Sequence, residues 1–142
     1  ATMRIQGSAS YQMNEDESGQ DDVMAAANEM LKLGFIYRPN KQLVLGVWNN
    51  YFGGASKLED LEGSAAQVVN PASEAVNLIS LNVETHLGYL LDNEKYQAVQ
   101  VSLYANNLLD EDVWYPELGR RLVNTFPQNH SQSIYASVEV TF

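Results

Sequence analysis

The segment S-I-Y-A-S-V-E-V-T-F, from Ser133 to Phe142, decides the fold. Every second residue of this segment is apolar, and the residues between them carry polar groups. The apolar positions are Ile134, Ala136, Val138, Val140 and Phe142. Successive side chains of a β-strand point to opposite faces of a sheet, so this period of two predicts a strand. One face of that strand is apolar and the other is polar.

Five earlier segments alternate in the same way and predict five more strands. They lie at about residues 2–12, 28–37, 42–52, 76–91 and 96–108. The longest places Ile79, Leu81, Val83, Thr85, Leu87, Tyr89 and Leu91 on its apolar face, with Ser80, Asn82, Glu84, His86 and Gly88 opposite. The alanine-rich residues 21–30 also permit a helical turn before the second strand. The sequence therefore predicts an all-β fold of about six strands.

The connections between these strands differ in length in a regular order. Residues 38–41 and 92–95 are predicted tight turns that contain Pro, Asn and Asp. The other three connections, at about residues 13–27, 53–75 and 109–132, are long and polar. This order predicts an antiparallel up-and-down meander with short turns at one rim and long loops at the other. Bacterial outer-membrane barrels have that asymmetry, so the sheet is predicted to be part of a larger transmembrane β-barrel.

Aromatic residues on the apolar face are expected to form two bands. With the short turns at the bottom, the lower band is Tyr37, Tyr89 and Phe142. The upper band is Tyr11 and Tyr51. Aromatic rings are enriched at both membrane–water interfaces of such barrels, although rings on apolar faces also fill soluble cores. Most predicted strands reach the length of about 9–11 residues that a tilted spanning strand needs, which favours the membrane.

Composition and motifs exclude several functions. The chain has 142 residues and a net charge of −10, which argues against binding to a nucleic-acid backbone. It has no cysteine, which excludes disulfides and thiol chemistry. The sequence contains no G-x-S-x-G, H-E-x-x-H or P-loop pattern. We therefore predict a protein that is not an enzyme and that uses no cofactor.

Two segments resemble parts of TonB-dependent outer-membrane receptors. Leu103 to Pro127, L-Y-A-N-N-L-L-D-E-D-V-W-Y-P-E-L-G-R-R-L-V-N-T-F-P, is similar to the penultimate strand and last loop of that family. In the family an Asn-Asn-Leu-(Phe/Leu)-Asp stretch ends this strand, as residues 106–110 do here. Leu33 to Gly53, L-G-F-I-Y-R-P-N-K-Q-L-V-L-G-V-W-N-N-Y-F-G, resembles a hairpin of the same receptors. A closing strand that ends in Phe142 completes the resemblance.

The resemblance implies a barrel of about 22 strands that encloses a plug domain and receives energy from TonB. Six strands are too few to close such a barrel, since outer-membrane barrels begin at about eight strands. Residues 1–142 are therefore expected to be the C-terminal portion of the barrel, with the plug and the earlier strands absent from this sequence. The implied partners are the lipid bilayer, the plug and TonB through the missing N-terminal part, and the outer-membrane insertion machinery through the C-terminal strand.

The function that the resemblance implies is active transport across the bacterial cell outer membrane. Its cargo would be a scarce nutrient such as a siderophore or another metal chelate. A soluble antiparallel β-sandwich or small-barrel binding module is the alternative, because such modules also contain alternating strands. Partitioning distinguishes the two, since a membrane barrel needs detergent and a soluble module does not.

Glu84 and His86 are two residues apart on one predicted strand and therefore point to the same polar face. Together they could contact a metal or a metal-chelate substrate. Two ligands do not make a metal site, and the simpler interpretation is a hydrated surface on which both side chains hydrogen-bond to neighbours. No metal site is predicted.

The last long loop carries Trp114, Tyr115, Arg120 and Arg121, which could engage an anionic ligand. In the alternative, the two aromatic rings pack the loop against the barrel mouth, and the arginines pair with carboxylates of the same loop. The acidic residues 14–22 could bind Ca²⁺, but they lack the spacing of an EF-hand and are more typical of a solvated loop.

Overall fold

The computed structural model describes residues 1–13, 27–55, 67–117, 123–128 and 131–141. The strands are β1 (Thr2–Tyr11), β2 (Glu29–Arg38), β3 (Leu43–Phe52), β4 (Val76–His86), β5 (Val99–Asn106), β6 (Val113–Pro116), β7 (Thr125–Gln128) and β8 (Ser133–Val140). A short helix, α1 (Leu87–Leu91), and a 3-10 turn at Glu94–Tyr96 join β4 to β5. In this part of the chain no helix is long and apolar enough to cross a membrane.

Six strands form one antiparallel sheet in the order β1-β2-β3-β4-β5-β8. β6 and β7, which lie between β5 and β8 in the sequence, form a separate two-stranded hairpin. The predicted all-β, antiparallel meander of six strands is confirmed. The sheet is open, with β1 and β8 at its two edges, and the transmembrane barrel stays a prediction.

The sheet has two different faces, which we call the apolar face and the polar face. Directly paired residues share a face, and one apolar row crosses all six strands. This row is Ile5, Phe35, Val47, Leu81, Ala105 and Ile134. The strand register confirms the predicted apolar face for Leu81, Val83, Val99, Val101, Leu103, Val138 and Val140. It also confirms the polar face for Ser80, Asn82, Glu84, His86, Gln100, Ser102, Tyr104 and Glu139.

Long connections gather at one end of the sheet. Residues 39–42 and 87–98 join strands at the end that we call the lower rim. Residues 12–28, 53–75 and 107–132 join strands at the opposite end, the upper rim. The last of these connections contains the β6–β7 hairpin, where the sequence predicts only a long loop.

The buried core lies at the upper end of the polar face. Val76 and Leu78 of β4 pack there with Val113 of β6, and Phe52 of β3 lies against them. The hairpin therefore folds over the polar side of the sheet, because Val76, Phe52 and Leu78 all belong to that face. Its contact with the sheet places two long connections beside each other at the upper rim.

Strand β4 ends at His86, so its predicted extension to residue 91 is wrong. Leu87, Tyr89 and Leu91 belong to α1 instead of the apolar face of a strand. Over five residues the alternating pattern also suits a helix, because Leu87 and Leu91 are four apart and share one helical face. The predicted tight turn at residues 92–95 is likewise wrong, since α1 and the 3-10 turn fill this connection.

The chain reverses after α1 through a left-handed residue. Asp92 ends the helix with φ 51°, a conformation that Asp and Asn adopt more readily than other side chains. The Asn93 N–H donates to the Gly88 carbonyl at 2.9 Å. The Asn93 side chain then accepts from the Lys95 N–H at 3.1 Å and begins the 3-10 turn. These bonds fix the length of the β4–β5 connection.

We expect Gly88→Ala to destabilise the protein by about 1–3 kcal/mol, the usual cost of overpacking. A methyl group at Gly88 would lie 2.8 Å from the Asn93 carbonyl oxygen and 2.9 Å from the Gln97 backbone nitrogen, and backbone atoms cannot easily move away. Denaturant unfolding measures the change. Gly7→Ala is the control, because its methyl would meet the movable Leu33 side chain at 3.1 Å. Equal losses for both variants would contradict the prediction.

Candidate functional site

A groove crosses the middle of the polar face, and we call it the Trp48 groove. It consists of two depressions of about 370 and 300 Å³. The first is lined by Trp48, Asn50, Ser80, Asn82 and Tyr104. The second includes Gln6, Ser8, Lys32 and Gly34 together with Trp48 and Asn50. The two depressions share Trp48 and Asn50 and therefore lie side by side on the polar face, from β1 to β5.

Trp48 lies across two glycines. Gly34 is its direct partner on β2, and Gly46 precedes it by two residues on the same face of β3. A methyl group at Gly46 would lie 2.2 Å from the indole Cη2, and one at Gly34 would lie 2.9 Å from Cδ1. The indole thus rests with one ring face on the sheet, and its other face is turned away from it. Aromatic rings that cover cross-strand glycines stabilise sheets in this way.

Hydrogen bonds hold the polar side chains beside the indole. The Ser80 hydroxyl donates to Asn106 Oδ1 at 2.8 Å, across the β4–β5 pair. Asn82 Nδ2 donates to Glu84 Oε1 at 2.7 Å, along β4. Each bond uses one polar atom and leaves other donor or acceptor capacity on the same side chains. The groove is therefore lined by oriented amide and hydroxyl groups.

Two further rings continue the surface toward β8. Tyr104 of β5 and Tyr135 of β8 are direct partners, and their rings stack with centroids 6.4 Å apart and an angle of 25° between planes. This separation is within the usual range of about 4.5–7 Å for interacting rings. Tyr104 is 40 % exposed and Tyr135 is 62 % exposed, so both present ring surface on the polar face.

A second groove of about 430 Å³ lies at the upper rim, beside the buried core. Trp114 and Tyr115 of the hairpin line it, together with Phe52 and Val76 of the sheet. Two of the predicted ligand-contact residues therefore lie where the hairpin meets the sheet. Burial raises the pKa of the Tyr115 phenol above its ordinary value of 10.0. Tyr115 is 39 % exposed, and both interpretations given for these aromatic residues stay predictions.

Asn107 holds the base of the hairpin. Its side chain is fully buried, and its φ of 49° turns the chain out of β5. Asn107 Nδ2 donates to the Glu111 carbonyl and Oδ1 accepts from the Glu111 N–H, each at 2.9 Å. Asp110 has a φ of 54° and accepts from the Gln132 N–H at 3.1 Å. The Asn-Asn-Leu-Leu-Asp motif therefore shapes the exit from β5 and joins it to the chain before β8.

Asn124 joins the hairpin to the connection between β3 and β4. Its Oδ1 accepts from the N–H groups of Val69 and Asn70, and its Nδ2 donates to the Asn70 carbonyl at 2.7 Å. The neighbouring Thr125 hydroxyl donates to the Pro71 carbonyl at 2.6 Å. Both side chains are 3 % exposed. The two long connections therefore form one hydrogen-bonded unit at the upper rim.

Glu84 and His86 share the polar face but have different partners. Glu84 accepts from Asn82, whereas His86 Nδ1 lies 2.9 Å from the Gln97 carbonyl oxygen. A carbonyl can only accept, so Nδ1 carries the proton in this bond. Within the described ranges, no three His, Cys, Asp or Glu side chains gather where they could hold a metal ion. The pair is brought to one face but not into a metal-binding arrangement.

The predicted interface aromatics divide into three groups. Tyr11, Tyr37 and Tyr51 lie on the apolar face, and Tyr11 is 65 % exposed. Tyr89 lies on α1 at the lower rim. Phe142, Arg120, Arg121 and the acidic segment at 14–22 lie outside the described residues, as do residues 21–26 of the helical-turn alternative at 21–30. The described end of that segment is not helical, because Ala27 forms a β-bridge and β2 begins at Glu29. The membrane-interface role of these aromatics stays a prediction.

Trp48 and its amide neighbours are not among the residues predicted from the sequence. The signal that points to them is G-V-W at residues 46–48, because Gly46 and Trp48 share a face of one strand. A large ring beside a residue without a side chain indicates that the ring lies down on the sheet. Gly34, the second glycine under the ring, becomes visible only with the strand register.

No family model, curated protein or solved structure matches this chain. The resemblance of residues 33–53 and 103–127 to TonB-dependent receptors therefore stays a prediction from sequence. The two faces of the sheet and its open edges are the features that bear on function.

We expect Gly46→Ala to turn the indole of Trp48 off the sheet, because the new methyl would stand 2.2 Å from Cη2. In a Trp114→Phe background the remaining tryptophan fluorescence reports Trp48 alone, since the chain has two tryptophans. The emission maximum should move to longer wavelength as the ring becomes hydrated. Gly7→Ala in the same background is the control and should leave the emission unchanged. An unchanged spectrum for Gly46→Ala would show that the ring does not rest on this glycine.

Titration of Tyr115 provides a further prediction. We expect the absorbance difference between the protein and its Tyr115→Phe variant to titrate with a midpoint above 10.0, because burial disfavours the phenolate. A pKa raised in the folded state means that the stabilisation is present below the ordinary pKa and is lost as pH rises through the folded one. The variant should therefore lose less stability than the parent between these two pH values. A midpoint at or below 10.0 would contradict the packing of this ring.

Proposed function

We propose that this chain forms the C-terminal strands of a TonB-dependent receptor barrel and takes part in the active uptake of a scarce nutrient across the bacterial outer membrane. The observation that carries the proposal is the contrast between the two faces of one six-stranded meander. The apolar face suits lipid and the polar face suits a hydrated lumen. The sequence resemblance supports the same assignment independently of the sheet geometry.

The exposure of the apolar face is the first argument. Ile5 is 77 % exposed, Val138 66 % and Phe35 40 %, although all three lie in the apolar rows of the sheet. In a soluble sandwich a second sheet would cover these side chains. The described residues provide one six-stranded sheet and one hairpin, and the hairpin packs on the opposite face. The exposed face therefore favours lipid over the soluble sandwich.

The open edges are the second argument. Among the described residues, β1 and β8 each pair with one neighbouring strand, so each presents a row of backbone groups along the outer edge of the sheet. The lipid core contains no water that could hydrogen-bond to such backbone groups, and a closed barrel has no unpaired strand edges. In the proposal, further strands pair with β1 and β8, and together they complete the barrel. The plug would then lie inside, against the polar face.

The upper rim is the third argument. The β6–β7 hairpin folds over the polar side and is joined to the β3–β4 connection through Asn124 and Thr125. In a barrel, this unit would narrow the outer mouth above the lumen. Uptake would then proceed by binding of the nutrient at the outer loops and plug, followed by rearrangement of the plug by TonB. In this proposal the protein is a transporter and catalyses no covalent reaction.

The membrane assignment is tested by a pair of adjacent arginine substitutions in the complete barrel protein. Val101 lies on the apolar face between Thr85 and Val138, and Ser102 lies on the polar face between Glu84 and Ser137. Val101→Arg should be clearly destabilising, because it places a charge in the lipid. Val101 lies in the lower half of the sheet, level with Thr85 and Leu43, so the cost should be below the value of about 2–4 kcal/mol for a charge at the bilayer midplane. Ser102→Arg should cost much less, because its side chain faces the hydrated lumen. Folding titrations into lipid vesicles measure both costs.

Equal costs for the two variants would argue against a lipid-facing Val101. The alternative of a soluble module is tested in the same preparation by partitioning. A membrane barrel stays with the detergent or lipid phase and migrates differently on gels before and after heating. A protein that stays in the aqueous phase without detergent would refute the membrane assignment.

A further inference from the structure

The geometry of the Trp48 groove points to a ligand class, and we propose that this groove is a binding subsite for a neutral oligosaccharide. The inference rests on the proposed function, because a nutrient entering the barrel would pass the polar face once TonB has rearranged the plug. It goes further by naming the cargo as a sugar polymer, and by placing one of its contacts on β1 to β5.

The ring surfaces are the first reason. Trp48 rests with one face on Gly34 and Gly46, so its free face is held in a fixed orientation. The stacked pair of Tyr104 and Tyr135 presents a second aromatic surface toward β8. A sugar ring has C–H groups on its faces that pack against such rings, and aromatic side chains that are already immobile lose little entropy on binding. Flat apolar molecules would also stack, so the polar lining must decide between them.

The polar lining is uncharged around the indole. Asn50, Ser80 and Asn82 line the first depression, and their amide and hydroxyl groups can donate and accept together. Sugar hydroxyls also donate and accept, so they match this lining better than a group that only accepts. The nearby carboxylate of Glu84 is bonded to Asn82 and fixes the direction of that amide. A purely apolar ligand would leave these amide and hydroxyl groups without hydrogen-bond partners, which would cost binding free energy.

The charge of the lining argues against an anionic metal chelate. Lys32 in the second depression is the one cationic side chain among the described residues that line the groove. Strong binding of anions in proteins relies on several charge-assisted hydrogen bonds, usually with arginine. A single lysine at one end of the groove can instead donate a hydrogen bond to one sugar hydroxyl. Neutral ligands are therefore favoured.

The shape of the groove indicates an oligomer. Depressions of about 370 and 300 Å³ lie on the two sides of Trp48, and both are open along the face of the sheet. A chain that crosses both depressions would pass over the free face of Trp48, so that one unit stacks on the indole and the neighbouring units lie over the depressions on either side. The two depressions then act as neighbouring subsites for one chain, and a single monosaccharide would use only half of the groove.

Isothermal titration calorimetry on the complete, folded protein tests this proposal. The neutral probes are maltohexaose, cellohexaose and chitohexaose, and gallium citrate serves as an anionic metal chelate. We expect saturable binding of at least one hexasaccharide and weaker binding of the matching monosaccharide. Trp48→Ala should weaken the hexasaccharide by about tenfold or more, as loss of a buried aromatic anchor usually does. Gly46→Ala should act in the same direction, because it displaces the same ring.

Matched variants separate the groove from its surroundings. Val47→Ala changes the opposite face of β3, and Gln100→Ala changes the polar face near the lower rim, so neither should alter the affinity. If Trp48→Ala does not fold, Trp48→Phe and Asn50→Ala take its place, and each should lower the affinity with the fold preserved. Hexasaccharide binding that all these variants leave unchanged would overturn the proposal, because the sugar would then bind elsewhere.

Other results also decide against the subsite. Binding of gallium citrate with no binding of the three hexasaccharides would overturn it. A Trp48→Ala variant that loses thermal stability at unchanged sugar affinity would show that the groove holds another part of the protein, such as the plug.

The proposed membrane function is tested separately from the sugar subsite. Protein that binds sugar through Trp48 but does not enter lipid refutes only the barrel, and protein that enters lipid without binding sugar refutes only the subsite.

Discussion

Strand register is the constraint on which both surfaces of this protein depend. Side chains alternate between two faces along every strand, so a slip of one residue would exchange the faces of that strand completely. At the lower rim, Asn40 Oδ1 accepts from the N–H groups of Gln42 and Leu43 at 2.8 and 2.9 Å and fixes how β2 turns into β3. The asparagine turn therefore sets which residues of β3 meet the apolar side.

The polar face changes in character from one rim to the other. At the upper end it is apolar, because Phe52, Val76 and Leu78 meet Val113 of the hairpin. Asn107 and Asn124 stabilise this cover, because their buried side chains hydrogen-bond to backbone groups of Glu111 and Asn70. Amides and rings follow in the middle, and carboxylate and imidazole groups lie near the lower rim. A small apolar core and the hydrogen bonds of buried asparagine side chains thus hold the long connections in place.

The alternation of apolar and polar residues predicts the long strands of the sheet well, but it does not predict α1 or the β6–β7 hairpin. Long alternating segments such as residues 133–140 have few alternative structures, so both their strands and their faces are predicted. The segment at 87–91 is too short for the spacing of its apolar residues to distinguish a strand from a helix. Asp92 ends the helix with a left-handed backbone conformation. The four-residue strands β6 and β7 carry no periodic signal, and their position depends on Asn124, whose partners are 54 and 55 residues away. The Trp48 groove likewise assembles from five strands, β1 to β5, and becomes visible only once their register is known.

The two faces cannot be altered independently. Val47 and Trp48 are consecutive, so the residue that contributes to the apolar row and the residue that covers the glycines are fixed by the same backbone. A one-residue slip of β3 would place the indole on the apolar face and the valine over Gly34, and would also separate Asn50 from Ser80 and Asn82. The apolar surface and the groove would therefore be lost together. The turn at Asn40, far from both, is for this reason as important to the groove as the residues that line it.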